Sequence, residues 1–365
     1  MNGSSMSHYT ETKEKILADY SRIWFTALST FPCVLYVDGF AGSGVDKSGK
    51  DGSPLVALEK AAWSWERHQN SDFSLYFIEK TKKRFVDLER NIEARYEVLR
   101  KNASDPLTFE NKVRYSIFHA DFHSVLPAIV SRVSAKYCPA FFFVDPYNCQ
   151  IPMKSVVKML SNKRTEILLN FMVSGIVRNR KKYSREKLFD IFGEDVDQHI
   201  TMKRAMEIVE YYSRRLKNES KCYVLKYGML NKKASSVYYL VFATKSPVGI
   251  KKMKEVLHRN STSQYAFTND FRNPKNNLYL FKQEEFESVL RKEFSGRRSF
   301  STKEIEKRLV ETDEYLLCSK QVKEGLRNME KKGLIEVSER FYENGFIRSR
   351  RKNSFPVGSL EISFK

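Results

Sequence analysis

Short apolar runs alternate with amphipathic stretches along the first two thirds of the chain. Five runs are apolar almost throughout and are bounded by glycine, proline or charged residues, as is typical of strands buried in a parallel sheet. These strands are predicted at Val34 to Val37, Phe73 to Ile78, Val113 to Phe118, Ala140 to Val144 and Ile167 to Phe171. The predicted helices around them include Glu11 to Ser29, a helix opened by Ser53-Pro54, and Lys82 to Arg100.

Two further apolar runs, Cys222 to Lys226 and Ser236 to Ala243, are separated by only a short connection. Such a connection predicts an antiparallel hairpin. Strands that alternate with helices and end in a hairpin indicate an α/β fold. We therefore expect a doubly wound, mostly parallel sheet of seven strands with an antiparallel C-terminal hairpin, followed by a helix at Pro247 to His258.

The chain is predicted to contain a second, smaller domain. We expect a disordered N-terminus (1–10), the α/β domain (11–258) with a basic helical insertion (173–218), a linker (259–277) and a small α+β domain (278–365). In the small domain, Ser301 begins a capping box, Ser319 opens a second helix and Leu334 to Val337 starts a strand. This order predicts a winged helix; the alternative is a structural cap on the main domain.

Charge and aromatic content indicate a polyanionic partner. The formal net charge is +20, and the chain has 19 Tyr and 26 Phe that could stack on bases. Nucleic acid, either DNA or RNA, is the partner this favours, although a cationic surface without a ligand is the alternative. The basic cluster expected to bind phosphates is Arg178, Arg180, Lys181 and Lys182.

Cysteine usage and hydropathy indicate the compartment. The five cysteines are odd in number and form no CxxC pair, which argues against a disulfide framework or a zinc site. No apolar run approaches the ~20 residues that span a bilayer, and the polar N-terminus lacks a signal-peptide core. We expect a reduced, cytoplasmic protein with no membrane partner.

Two strand ends carry the candidate chemistry. Asp38 to Gly44 reads Asp-Gly-Phe-Ala-Gly-Ser-Gly, and the later strand ends in Asp145-Pro146-Tyr147-Asn148. In a doubly wound sheet both would open at the carboxyl edge, where ligands bind. Glycines permit a tight turn and close approach of a ligand. In the second stretch, Asp145 and the Pro146 carbonyl could accept from an amine and Tyr147 could stack on a flipped base. The alternative is that Asp145 caps the next helix and Tyr147 lies in the core.

Two more acids follow predicted strands. Glu79 stands where an acid binds ribose hydroxyls in dinucleotide folds, unless Lys80 and Lys82 make it a surface ion pair. Asp121 could accept from the amine of an adenine. Because His119, Asp121 and His123 alternate, an extended chain would place them on one face. That leaves a metal-dependent nuclease or hydrolase as an alternative, but no fourth ligand is evident and no metal is predicted.

These stretches resemble the motifs of class I S-adenosylmethionine-dependent methyltransferases. Asp38 to Gly44 resembles their cofactor motif, Glu79 and Asp121 match their ribose and adenine acids, and Asp145-Pro146-Tyr147 resembles the catalytic motif of base-amino methyltransferases. That motif usually has a second proline, which is absent here, so a non-catalytic binding protein is the alternative. The cofactor-binding residues predicted on this basis are Asp38, Gly39, Phe40, Ala41, Gly42, Gly44, Glu79, Lys80, Asp121 and Phe122.

A second resemblance, to the three-Cys-motif partner protein family, covers roughly Trp24 to His258. It is carried by Asp38 to Gly44, Gly52-Ser53-Pro54-Leu55, Phe77-Ile78-Glu79, Val144 to Tyr147, Leu169-Asn170-Phe171 and Tyr239 to Ala243, followed by Pro247, Gly249 and Met253. The resemblance implies a methyltransferase-like fold and a radical-SAM-like partner with three cysteines. It implies nothing about the substrate or the C-terminal domain.

Overall fold

The structure is a computed structural model. It describes residues 8–46, 48–136, 138–146, 151–179, 183–196, 205–230, 237–260, 283–343, 346–356 and 359–365.

Within these residues, seven strands form one sheet in the order β3-β2-β1-β4-β5-β7-β6. The strands are β1 (Cys33–Asp38), β2 (Asp72–Glu79), β3 (Val113–His119), β4 (Ala140–Val144), β5 (Thr165–Phe171), β6 (Tyr223–Leu230) and β7 (Val237–Thr244). Strands β1 to β5 are parallel, whereas β7 pairs antiparallel with both β5 and β6. The predicted Rossmann-like α/β sheet and its antiparallel hairpin are therefore confirmed.

The sheet is buried on both faces because successive side chains point to opposite sides. Val37 and Phe142 belong to the core on one face, and Tyr36 and Phe141 belong to the core on the other. Every residue of β4 is buried. This double burial explains why these strands read as continuous apolar runs.

Helices cover both faces. They are α1 (His8–Leu28), α2 (Ser53–Trp65), α3 (Lys82–Lys101), α4 (Pro106–Lys112), α5 (Phe122–Lys136), α6 (Met153–Met159), α7 (Val173–Asn179), α8 (Arg185–Phe192), α9 (Ala205–Ser220) and α10 (Pro247–Asn260). The alternative of an extended chain through His119, Asp121 and His123 is wrong, because α5 begins at Phe122. Helix α10 also contradicts the predicted start of the linker, since it continues through Arg259 to Asn260; residues 261–277 lie outside the described residues.

A smaller unit follows the sheet. Its elements are α11 (Gln283–Phe294), β8 (Phe300–Ser301), α12 (Thr302–Ile305), a π-helical turn (Glu306–Val310), α13 (Ser319–Lys331), β9 (Ile335–Val337), β10 (Arg340–Glu343), β11 (Phe346–Ser349) and β12 (Glu361–Phe364). The capping box at Ser301 is confirmed, since its hydroxyl accepts from the Glu304 amide at 3.2 Å and Glu304 accepts from the Ser301 amide at 2.8 Å. The unit has its own apolar core, in which Leu309 and Leu326 are buried.

Polar contacts fasten this unit to the sheet. Asp313 accepts from the Val224 amide at 2.9 Å, on the outer edge of β6, and from the Lys217 ammonium at 2.8 Å. The Lys254 side chain is buried and donates to the Val310 carbonyl at 2.8 Å. The pKa of Lys254 falls to about 7, because burial penalises its charged form. The smaller unit is therefore docked through specific polar contacts.

Gly249→Ala is expected to destabilise the protein by about 1–3 kcal/mol, the usual cost of overpacking. A Cβ at Gly249 would lie 2.2 Å from Oε1 of Glu166, whose carboxylate accepts from Tyr20 and Thr244 in the core. The matched control is Gly175→Ala in α7, where a Cβ would meet nothing within 4 Å. The control should gain up to about 1 kcal/mol from helix propensity. Denaturant unfolding measures both; equal effects would contradict the contact at Gly249.

Among the residues the structure describes, no helix is long and apolar enough to cross a membrane. The four cysteines in that part of the chain, Cys33, Cys138, Cys222 and Cys318, form no disulfide.

Candidate functional site

The candidate site lies where the strand order reverses. Strand β1 pairs with β2 on one side and with β4 on the other, so the carboxyl ends of β1 and β4 border the crevice that binds ligands in open α/β sheets. Asp38 ends β1, and Asp145 directly follows β4. The fold thus brings together the two stretches that the sequence singled out.

The turn after β1 depends on its glycines. Gly42 and Gly44 have φ values of +66° and +82°, a left-handed conformation that favours glycine. The Ala41 amide donates to the Ile78 carbonyl at 2.9 Å, which ties the turn to β2. A Cβ at Gly42 would meet nothing within 4 Å. The backbone at Gly42 is therefore open to a ligand.

Asp38 is a fully buried acid with an unused acceptor. Its Oδ1 accepts from the Phe40 amide at 3.1 Å, whereas its Oδ2 has no hydrogen-bond partner among the described residues. Burial raises the pKa of Asp38 to about 7, and the nearby charge of Asp145 adds to this. The Ser53 hydroxyl, the Phe40 amide and Lys13 act in the opposite direction. A cation arriving at this carboxylate would relieve the cost of its ionisation.

Glu79 is held by the backbone. Its Oε2 accepts from the Gly42 amide at 3.1 Å and its Oε1 from the Thr81 amide at 2.6 Å. It is only 6% exposed, so the alternative of a surface ion pair with Lys80 or Lys82 is wrong. Its carboxylate fixes the glycine turn against the end of β2.

Asp121 caps α5 and pairs with Lys80. It accepts from the His123 amide at 2.9 Å and from the Lys80 ammonium at 3.0 Å. The hydrogen bond from Lys80 is the main reason that the pKa of Asp121 is lowered. Lys80 itself is largely exposed.

Lys13 faces Asp145 in the structure, and sequence reasoning missed it. Its ammonium pairs with Oδ2 of Asp145, while Asn170 Nδ2 donates to Oδ1 at 2.5 Å. The Lys13 side chain is only 10% exposed. The available signal was its position on the apolar face of α1, three residues before the buried Ile16 and seven before Tyr20. Asn170 belongs to the stretch Leu169-Asn170-Phe171 of the second resemblance, for which the sequence predicted no role.

Several predicted cofactor residues are packing residues. Phe122 is 2% exposed and packs on Phe40 at a tilt, with ring centroids 5.5 Å apart and an interplanar angle of 51°. A Cβ on Gly39 would lie 2.9 Å from the Phe122 ring. Ala41 is buried, and Gly44 lies against Leu88. The Phe122 ring is part of the core, because the first turn of α5 directs it there.

Other predicted residues fall outside the description. Pro146 is buried, but Tyr147 and Asn148 lie outside the described residues. The same holds for Arg180, Lys181, Lys182 and the side chain of Arg178, although its backbone belongs to α7. Base stacking by Tyr147 and phosphate binding by the basic cluster therefore stay predictions.

The histidines near Asp121 have other contacts. The His119 Nε2 lies 3.1 Å from the Lys80 carbonyl, and its ring packs on Phe85. In the described part of the chain, no three or more His, Cys, Asp or Glu side chains are placed to share an ion.

Comparisons with known proteins add little. No family model and no curated protein matches the chain. Among solved structures, a DUF519 protein from Legionella pneumophila str. Philadelphia 1 aligns with 12% identity and a TM-score of 0.42. The alignment covers 69% of this chain and 92% of that one. At this level of similarity it carries no argument about function.

Proposed function

We propose that the protein is an S-adenosylmethionine-dependent methyltransferase that acts on nucleic acid, with a base amino group as its target. One observation carries the proposal: the carboxylate of Asp145 is held at the crevice, close enough to Asp38 for the two charges to interact. Asn170 donates to its Oδ1 at 2.5 Å, and its Oδ2 accepts from the Lys13 ammonium. A target amino group needs the same acceptor at the same crevice.

The residues around the turn fit the cofactor. The unpartnered Oδ2 of Asp38 could accept from the ammonium of its amino-acid part, and the open backbone at Gly42 leaves room beside it. Glu79 and Asp121 would accept from the ribose hydroxyls and the adenine amine. When bound, the cofactor supplies an electrophilic methyl group on a sulfonium.

The chain contributes mainly positioning. Asp145 accepts an N–H of the target amine and so directs the nitrogen lone pair away from the carboxylate, while Asn170 fixes that carboxylate. Holding two reactants in line supplies much of the catalysis in such a transfer. Lys13 must leave Oδ2, or share it, before a target amine can bind. Lys13 therefore controls whether a target amine can reach the Asp145 carboxylate.

The topology supports the family proposal. A sheet with five parallel strands and an antiparallel β6–β7 pair at its edge is consistent with a class I methyltransferase fold. We extend this to the three-Cys-motif partner family, whose name implies a radical-SAM-like partner. The stretch Leu169-Asn170-Phe171, which resembles that family, has a physical role in this proposal, because Asn170 fixes the Asp145 carboxylate.

We also propose a winged helix for the smaller unit. In α13, Lys320, Arg327 and Lys331 are exposed along one stripe that also contains the exposed Glu324, on the side away from the buried Leu326. The β10–β11 hairpin would be the wing. Arg350, in the basic run 348–352, is instead buried against Glu330. The stripe of α13 is therefore the better phosphate contact.

A non-catalytic binding protein is the second candidate. It is favoured by Lys13 on Asp145 and by Phe122 over Gly39, because the chain's own side chains already occupy these positions. In that case the crevice would be structural, and only the basic surfaces would bind a partner.

Calorimetry with S-adenosylmethionine, followed by transfer of a radiolabelled methyl group, separates the candidates. The enzyme should bind the cofactor with a micromolar dissociation constant, about −8 kcal/mol, and label at least one of tRNA, rRNA and DNA. Gly42→Val is the matched variant, since its φ of +66° is strained for a β-branched residue. Binding should weaken in it. Absence of both cofactor binding and methyl transfer in the native protein would favour the second candidate.

A further inference from the structure

We propose that the surface formed by the start of α3 and the end of β3 binds a single-stranded segment of nucleic acid. We call it the α3 surface and define it by Lys80, Lys82, Lys83, Phe85 and His119. The proposal deepens the proposed function and rests on nucleic acid being the partner, but it does not require methyl transfer.

Positive charge is concentrated on this surface. Lys80, Lys82 and Lys83 are exposed within four consecutive positions after Glu79. The first turn of α3 contains no acid, although acids are the residues that favour a helix N-terminus. Lys82 and Lys83 therefore do not stabilise the start of α3, and Lys80, which precedes the helix, pairs with Asp121. A phosphate chain is a partner for the three exposed ammonium groups.

A ring pair lies beside the charges, with His119 exposed and Phe85 half-buried. The rings of His119 and Phe85 have centroids 4.9 Å apart and an interplanar angle of 32°. His119 is exposed, and the Lys82 ammonium lies 5.2 Å from the Phe85 centroid. Within the described ranges, β3 is the outermost strand of the sheet, so no described strand lies on the outer side of this pair. Aromatic faces next to lysines are the combination that binds single strands.

The location suits a target strand. Glu79 of the candidate site directly precedes Lys80 and stands opposite His119 in the β2–β3 pairing, and Asp121 follows His119 by two residues. A base removed from its stack leaves flanking nucleotides that need support. The α3 surface would hold them next to the crevice. A duplex would not use the ring pair, because its bases are already stacked.

Fluorescence anisotropy with labelled oligo(U), oligo(dT) and a duplex of equal length tests the proposal. In Lys82→Gln/Lys83→Gln, two phosphate contacts are lost, so the slope of log K against log salt should become less negative by about 1.4. The matched control, Lys101→Gln/Lys158→Gln, removes the same charge from two other exposed positions. It should leave the slope nearly unchanged.

The ring pair is tested separately. His119→Ala should weaken single-strand binding by about fivefold or more, the lower range for loss of a stacked base, and His119→Phe should restore it. Binding of the duplex should be the same in both His119 variants as in the native protein. A salt slope unchanged in the lysine variant, an equal loss in the control, or no restoration by Phe would overturn the proposal. Cofactor calorimetry on the same proteins distinguishes the two proposals. A protein that binds single strands but does not bind the cofactor would contradict only the methyltransferase proposal.

Discussion

Asp145→Asn is expected to reduce methyl transfer by at least about 100-fold, the usual effect of removing one preorganised polar contact in an active site. Asparagine keeps the shape of the side chain and can still meet Asn170 through Oδ1. It replaces the second acceptor, Oδ2, by an NH2 group, which cannot accept from the target amine. Cofactor affinity should stay within about twofold, because Asp38, Glu79 and Gly42 are untouched.

The measurement combines radiolabelled methyl transfer with calorimetry of cofactor binding. Asp87→Asn is the control, since Asp87 lies on α3 in an ion pair with a largely exposed arginine and should transfer methyl groups at the native rate. The Asp145→Asn variant would retain Lys13 without its carboxylate partner, so thermal unfolding should accompany the assay. A folded Asp145→Asn protein that transfers methyl groups normally would refute the role of Asp145.

The sequence was sufficient for the sheet because burial of both faces leaves a direct mark on it. A strand such as β4, in which every residue is buried, must be apolar throughout, and β-branched and aromatic residues fit it. Local signals were equally clear at Ser301, where two side chains satisfy each other's backbone. These features depend on residues close in sequence.

The missed features depend on residues far apart. Lys13 and Asp145 are 132 positions apart, and no local pattern relates a helix lysine to a strand end. The packing of Phe122 was missed for a similar reason. Its ring is accepted by the bare backbone of Gly39, so the glycine that was predicted to admit a ligand admits a core side chain instead. Only the three-dimensional packing distinguishes these two uses of a glycine.

The burial of Asp38 costs stability at the proposed functional site. A buried carboxylate such as that of Asp38, one oxygen of which has no partner in the described part of the chain, is unfavourable for folding, yet it lies at the centre of the proposed cofactor site. Sites of this kind often retain groups that cost stability. The second large effect we predict follows from this conflict.

Asp38→Asn is expected to stabilise the protein at high pH and to weaken cofactor binding. The folded pKa of Asp38, about 7, lies above its ordinary value of 3.8. The folded state therefore binds more protons than the unfolded state between about pH 4 and pH 7, and this group makes the protein less stable as the pH rises through that window. Asparagine does not titrate and still accepts from the Phe40 amide. Between pH 4.5 and pH 8, the variant should gain about 3 kcal/mol relative to the native protein.

Denaturant unfolding of both proteins across this pH range measures the difference. Comparing each variant with the native protein at the same pH removes the contribution of Glu14, whose pKa burial also raises to about 7. Asp87→Asn, on the exposed side of α3, should differ from the native protein by less than about 0.5 kcal/mol throughout. Calorimetry should show at least tenfold weaker cofactor binding in Asp38→Asn, since the acceptor for the cofactor's ammonium is lost. A variant whose advantage does not grow with pH would show that Asp38 is not buried as an acid, and native cofactor affinity would remove it from the binding site.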